Sequence, residues 1–251
     1  MRPTILRLTS EMPTESSLLT EARELGATVA AVRFQVGDLQ AEAGEQLRAR
    51  ADAPELEARG YLVTDAHFER LRILASMLAP MGSRRSQLEV DRDLAHQQLE
   101  RARLRLLAIR ERFSRIGVAV GHPASLFSFS TRATLRVNVV TLGMEEVIQN
   151  IEQLGSEMPD HATVDALLAE ARALVASTPP VRRHANALRL ELAVQIKLTA
   201  QVSRLLYETL MHLSSQGLAA FDDDLKRRAP YSLTSLQAAK TRRQQSLPPT
   251  A

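Results

Sequence analysis

The fold of this chain is decided by residues 18–43, which read LLTEARELGATVAAVRFQVGDLQAEA. Apolar residues recur within this stretch at alternating steps of four and three, an average of about 3.5, which is the period of helices that wrap around one another. The ladder consists of Leu18, Ala22, Leu25, Val29, Val32, Val36, Leu39 and Ala43. It predicts a long helix over about 14–51 that packs along its length against other helices.

Five further segments show helical spacing, with breaks predicted at Pro80 and at Pro179 with Pro180. These segments are 64–79, 86–115, 131–154, the stretch after Pro159, and 179–215. The short connections between them favour antiparallel neighbours packed side by side. The sequence therefore predicts an all-α fold, an elongated antiparallel helical bundle of about six helices with coiled-coil-like packing over residues 1–228.

Composition sets limits on the classes of function. The chain has 251 residues with no Cys and no Trp, so it offers neither a disulfide framework nor a thiolate metal site. No run of about 18 apolar residues is present, and the N-terminal apolar stretch is too short for a secretory signal. We therefore expect a cytoplasmic protein.

The segment 116–131 carries no formal charge, although arginines flank it on both sides. Val118 with Val120, and Phe127 with Phe129, alternate as in a strand, so the segment forms either a short β-hairpin or an irregular apolar connection near 116–130. It either covers the apolar ends of the helices or presents an apolar tip to a membrane or a partner groove. The contact residues of such a tip are Leu126, Phe127 and Phe129.

Charge is distributed unevenly along the chain. No acidic residue follows Asp224, and the six cations beyond it, set against a net charge of +3, leave a balance of about −3 for the preceding body. The composition of residues 229–251 predicts a disordered basic C-terminal tail, which is either a solvated end or an electrostatic contact to acidic lipid, protein or nucleic acid. The candidate cations are Lys226, Arg227, Arg228, Lys240, Arg242 and Arg243.

Part of this tail, 231–240, has the composition of a docking peptide, with Tyr231, Leu233 and Leu236 as its apolar contacts. Base-stacking aromatics are otherwise absent from the tail, and the acidic body repels a polyanion. Both features argue against sequence-specific binding of nucleic acid.

Chemistry-bearing motifs are sparse. The six histidines include one Asp93-x-x-His96 pair and one Glu208/His212 pair a helical turn apart, and neither pair is repeated as a two-metal bundle site requires. No glycine-rich phosphate loop and no nucleophile-elbow motif occurs in the sequence. We therefore predict no catalytic residue, metal ligand or cofactor.

The heptads favour a non-catalytic role. They either close within one chain or leave one seam for self-association or a partner helix. We expect a scaffold, adaptor or assembly subunit that binds other proteins or further copies of itself through helical surfaces. The alternative is a peripheral membrane protein that uses the apolar 116–131 tip and the basic tail.

Overall fold

The computed structural model of the chain describes residues 12–25, 34–129 and 136–246, with side chains as far as Arg242. Within these ranges every regular element is a helix and no strand is present. The α-helices of these ranges are α1 (Glu15–Glu24), α2 (Val36–Leu47), α3 (Ala53–Ala58), α4 (Asp65–Ala119), α5 (Val137–Leu154), α6 (His161–Ala220), α7 (Leu225–Arg228) and α8 (Thr234–Ser246). The prediction of an all-α helical bundle is confirmed.

The first predicted helix is not continuous. Gln35 has an extended backbone, with φ −72° and ψ 154°, and starts α2 as its N-terminal cap. A single helix over 14–51 is therefore wrong at this point, and 26–33, with Val29 and Val32 of the ladder, lie outside the described residues. The described ladder residues nevertheless face the core as the heptads predict, and those fully buried are Leu18, Ala22, Leu39 and Ala43.

The predicted break at Pro80 is absent, because α4 runs for 55 residues with Pro80 inside it. A proline in a helix interior removes one backbone hydrogen bond and costs about 3 kcal/mol. Side-chain hydrogen bonds from residues far away in the chain hold the helix on either side of Pro80. Gln40 Nε2 donates to the Ala75 carbonyl at 2.9 Å, and Gln195 Nε2 donates to the Met81 carbonyl at 3.2 Å.

The predicted break at Pro179 and Pro180 is also absent, since α6 is continuous over 60 residues. The hydroxyl of Thr178 donates to the Leu174 carbonyl at 2.7 Å, so a polar group one turn before the prolines is satisfied inside the helix. Thr178 is buried, which shows that packing holds this stretch in place. The expected separate fifth and sixth helices are thus one helix.

The chain divides into two compact units, whereas the sequence predicts one helical domain followed by a tail. Unit 1 comprises Met1–Ser86 and Ala193–Ala251, and unit 2 comprises Gln87–Leu192. The two longest helices, α4 and α6, contribute residues to both units. None of the helices in the described ranges combines the length and the apolar character needed to cross a bilayer.

In unit 1, α4 and α6 run antiparallel. The Met81 carbonyl accepts a hydrogen bond from Gln195, and Arg70, earlier in α4, donates to the hydroxyl of Thr209, which comes later in α6. The short helices pack around this pair. The large buried side chains of the core include Leu18, Leu39, Leu56, Phe68, Leu71, Leu74, Leu78, Leu206, Leu210 and Tyr231.

In unit 2, α4 and α6 are again antiparallel, since Arg105 pairs with Glu170 while Leu88 and Leu192 share a cluster. α5 joins them in one cluster, formed by residues that include Leu106, Ile109, Phe113, Val140, Met144, Ile151 and Leu168. The second cluster is built mainly by α4 and α6, through Leu88, Ala95, Leu99, Ala185, Leu188 and Leu192. Much of α4 in this unit therefore has one buried face and one face open to solvent.

Candidate functional site

The apolar segment after α4 contains no strand among residues 116–129, so the expected β-hairpin is wrong for this described part. Gly121 turns the chain with a φ of +93°, which favours glycine, and Ala124–Phe127 form a 3-10 turn. The alternative expectation, an irregular apolar connection, describes residues 120–129. Residues 130–135 lie outside the described residues.

The three predicted tip residues pack onto unit 2. The ring of Phe127 is 1% exposed and fills the space that a side chain at Gly117 would need. The ring of Phe129 lies against Gly143 with the Arg110 guanidinium 5.0 Å from its centre. Leu126 is half-buried against the same core cluster. The segment covers its own core, and Phe127 is not an exposed membrane wedge.

The predicted cations of the tail are spread over different environments. Arg227 donates to Asp52 at 2.8 Å and to Glu55 at 2.7 Å, and these bonds raise its pKa. Its guanidinium also lies 3.9 Å from the centre of the Phe221 ring. Arg228 pairs with Asp222 and Arg242 pairs with Asp38, each at 3.4 Å. Lys226 and Lys240 are exposed, and the side chain of Arg243 lies outside the described residues.

The structure differs from a disordered tail beginning at residue 229. Ala229–Tyr231 form a 3-10 turn and α8 follows it. Tyr231 is fully buried, and burial raises the pKa of its hydroxyl. Leu236 and Ala239 are buried as well, while Leu233 packs at the edge of the same cluster. The predicted docking peptide thus docks on the core of its own unit.

A buried carboxylate receives the start of α8. Glu42 is 1% exposed, and its Oε2 accepts the backbone N–H of Ser235 at 3.0 Å and of Leu236 at 3.4 Å. Burial raises the pKa of Glu42, and the two backbone bonds oppose that effect. An acceptor placed at a helix N-terminus satisfies donors that have no partner within the helix. Sequence reasoning missed Glu42, because its partner lies far away in the chain.

In unit 1 the buried His67 lies beside the half-buried His212. The rings of His67 and His212 are 5.0 Å apart, and Nδ1 of His67 accepts the backbone N–H of Thr64 at 3.1 Å. Burial, together with the neighbouring His212 and Arg70, lowers the pKa of His67 to about 4. His67 is therefore a neutral structural residue near pH 7.

The sequence pairs considered as metal ligands do not gather further ligands. Asp93 pairs with Arg92, and Glu208 accepts a bond from Arg204. Within the described ranges no three His, Asp or Glu side chains are grouped closely enough to hold a metal ion.

An exposed surface with a regular pattern lies on α4 in unit 2. Val90, Leu94 and Leu104 are 53%, 51% and 54% exposed, although each is a large apolar residue. They belong to a heptad series in which every member is exposed, which we call the outer stripe. The outer stripe consists of Val90, Leu94, Gln97, Arg101, Leu104 and Ala108.

The outer stripe lies opposite the face that α4 buries. Successive residues of an α-helix are about 100° apart, so Val90 points away from Leu88, and Leu104 points away from Leu106. Leu88 and Leu106 are buried in unit 2. α4 therefore carries two stripes with apolar residues, of which one is buried in unit 2 and the other is exposed among the residues that the structure describes. In the sequence, the second stripe is present as steps of four and three that include the charged Arg101.

A groove of about 410 Å³ between α4 and α6 borders the outer stripe. Arg101 and Arg105 of α4 line it together with Leu174 and Thr178 of α6. It lies entirely within unit 2. The groove continues the exposed surface of the outer stripe towards α6.

Comparison of the chain with protein-family models, with curated proteins and with solved structures finds no match.

Proposed function

We propose that this chain is a non-catalytic scaffold or assembly subunit that binds other proteins through helical surfaces, and that the outer stripe is its docking surface. The observation that supports this proposal is the exposure of Val90, Leu94 and Leu104 on one heptad line of α4. Isolated exposed apolar residues are common on proteins, but a series at helical spacing is the pattern that another helix recognises.

The mechanism is the packing of a second helix along the outer stripe. Each of the three large apolar residues still exposes about half of its surface, so covering it contributes on the order of 1 kcal/mol per residue. Gln97 and Arg101 lie in the middle of the stripe and place polar layers between the apolar ones. Such layers select the register of the partner helix and weaken the contact, as befits reversible assembly.

Photo-crosslinking tests the proposal. A photoreactive amino acid replaces Leu94 or Leu104 in the full chain, which is expressed in the cell of origin. Leu142 of α5 is the matched control, because it is an apolar residue of the same unit, is 58% exposed and lies outside the stripe. We expect adducts of discrete mass at 94 and 104 and none at 142. Absence of adducts at the stripe, or equal adducts at all three positions, would contradict the proposal.

A further inference from the structure

The charges beside the outer stripe change sign along α4. Asp91 and Asp93 flank the first half of the stripe, Glu100 lies at its centre, and the second half contains Arg101 and is flanked by Arg105. A helix with this distribution is complementary to itself when it is turned end to end, because the acidic half of each copy then faces the basic half of the other. We propose that the occupant of the outer stripe is a second copy of this chain, paired antiparallel through α4.

The spacing of the outer stripe fixes the register. When Leu94 of one copy faces Leu104 of the other, Val90 faces Ala108 and Gln97 faces Arg101. Every member of the stripe then has a partner, and the apolar layers lie on both sides of the polar ones. In antiparallel helices each stripe residue of one copy thus lies at the level of a different stripe residue of the other copy.

The same register brings opposite charges together on one flank. Asp91 of one copy lies within about 3 Å, measured along the helix axis, of Arg105 of the other copy. Two-fold symmetry generates this pair twice. On the other flank Glu100 approaches Glu100 of the second copy at the symmetry axis. Arg101 of each copy lies beside that position, and Arg103 already pairs with Glu100 within its own chain.

A parallel pairing is less favourable for the same residues. It places Arg101 against Arg101 of the second copy inside the contact, where two like charges repel. It also separates Asp91 from Arg105 by about 20 Å along the axis. The antiparallel arrangement avoids both costs, and it requires no charged residue from another protein. This inference rests on the proposed function and names the partner.

Sedimentation equilibrium of the full chain with charge-exchanged variants tests the pairing. We expect the average molar mass of the unmodified chain to rise from 27.8 kDa towards twice that value as its concentration increases from micromolar to sub-millimolar. Asp91→Arg and Arg105→Asp should each abolish the rise alone, because each variant faces like charge in its own dimer. Mixing the two variants should restore it, because both contacts then join an arginine of the first variant to an aspartate of the second.

A control addresses the intramolecular bond of Arg105 with Glu170. Glu170→Gln removes the charge of that partner and leaves the stripe and its flanking charges unchanged, so association should persist. Restoration on mixing also shows that the two charge variants are folded. If the mixture stays monomeric while each variant keeps its helical circular dichroism, the proposed register is wrong.

Disulfide formation tests the direction of pairing, since the chain contains no cysteine. A mixture of Leu94→Cys and Leu104→Cys chains should form a disulfide between unlike chains. Leu94→Cys alone should form little, because residue 94 meets its own counterpart only in a parallel pair. A predominant 94–94 disulfide would overturn the antiparallel inference.

The failure of this inference can be separated from the failure of the proposed function. A chain that stays monomeric at every concentration, yet crosslinks at Leu94 to a different protein in cells, overturns self-pairing and leaves the docking surface in place. A monomer that gives no adduct at Leu94 overturns both.

Discussion

The ring of Tyr231 lies against Gly217 of α6, in the space that a Cβ atom at residue 217 would occupy. The carbonyl of Tyr231 accepts a 2.6 Å hydrogen bond from the hydroxyl of Ser214, one turn earlier in α6. The absent side chain at residue 217 therefore sets the depth at which the C-terminal segment enters the core of unit 1.

Replacing this glycine should destabilise the protein. In an ordinary helix interior Gly→Ala stabilises by about 1 kcal/mol, but here the new methyl overlaps a buried ring. We expect Gly217→Ala to lower the free energy of unfolding by about 1–3 kcal/mol and to speed amide exchange over 231–239. Urea unfolding and hydrogen exchange measure the two effects.

Gly44→Ala in α2 is the control for this substitution, because nothing lies within 4 Å of its added Cβ. It should raise the free energy of unfolding or leave it unchanged. Equal stabilisation by both alanines would show that Tyr231 does not occupy the position described.

The Glu42 carboxylate should hold the start of α8. Glu42→Ala removes the acceptor of the Ser235 and Leu236 amides, and loss of a capping acceptor typically costs about 0.5–2 kcal/mol. We expect Glu42→Gln, which keeps an oxygen acceptor, to lose less than Glu42→Ala. Glu45 is half-exposed and pairs with Arg48 at the end of the same helix, so Glu45→Ala should change stability little. Amide exchange at 235 and 236 would be the readout, and equal protection in all variants would contradict this role.

Stability should depend on pH through His67. The pKa of His67 is lowered from 6.5 to about 4 in the folded chain, so the unfolded state binds more protons between these values. Its contribution is therefore complete above pH 6.5 and is lost as pH falls towards 4, by at most about 3 kcal/mol. The variant His67→Asn should flatten the curve of unfolding free energy against pH in this window. An unchanged slope in His67→Asn would contradict the burial of a neutral His67.

Arg227 and Arg228 should respond differently to the same change. Arg227 bonds Asp52 and Glu55 and stacks on Phe221, and lysine reproduces neither the fork of donors nor the stacking. Arg227→Lys should therefore lower the midpoint of urea unfolding and loosen the C-terminal segment. Arg228→Lys should have little effect, because its contact with Asp222 is exposed and 3.4 Å long. Limited proteolysis after residue 228 would compare them, and equal cleavage of both variants would contradict the account.

The sequence predicts the all-α class and much of the core, because apolar periodicity is a local property of a helix. The burial of Leu18, Ala22, Leu39 and Ala43 follows directly from the heptad ladder. Local reasoning fails at Pro80 and Pro179, where it predicts helix ends. Packing and side-chain hydrogen bonds from distant residues, such as Gln195 beside Pro80, offset the cost of a proline there.

The candidate surfaces show the same limit. The polar composition of residues 229–251 conceals the burial of Tyr231 and Leu236, which depends on Gly217 and Glu42 far away in the chain. The outer stripe is not predicted from the sequence for a different reason. Val90, Leu94 and Leu104 have helical spacing, but only the structure shows that each of them is about half exposed.

The central claim is that protein covers the outer stripe of α4 in the cell. Thiol footprinting tests this claim most directly. Leu94→Cys, Leu104→Cys and the control Leu142→Cys each introduce a single cysteine into a chain that has none. We predict that residues 94 and 104 react much more slowly with a thiol reagent in the cell of origin than in the dilute purified chain, while residue 142 reacts equally in both. Equal reactivity of residues 94 and 104 in the two settings would contradict the claim.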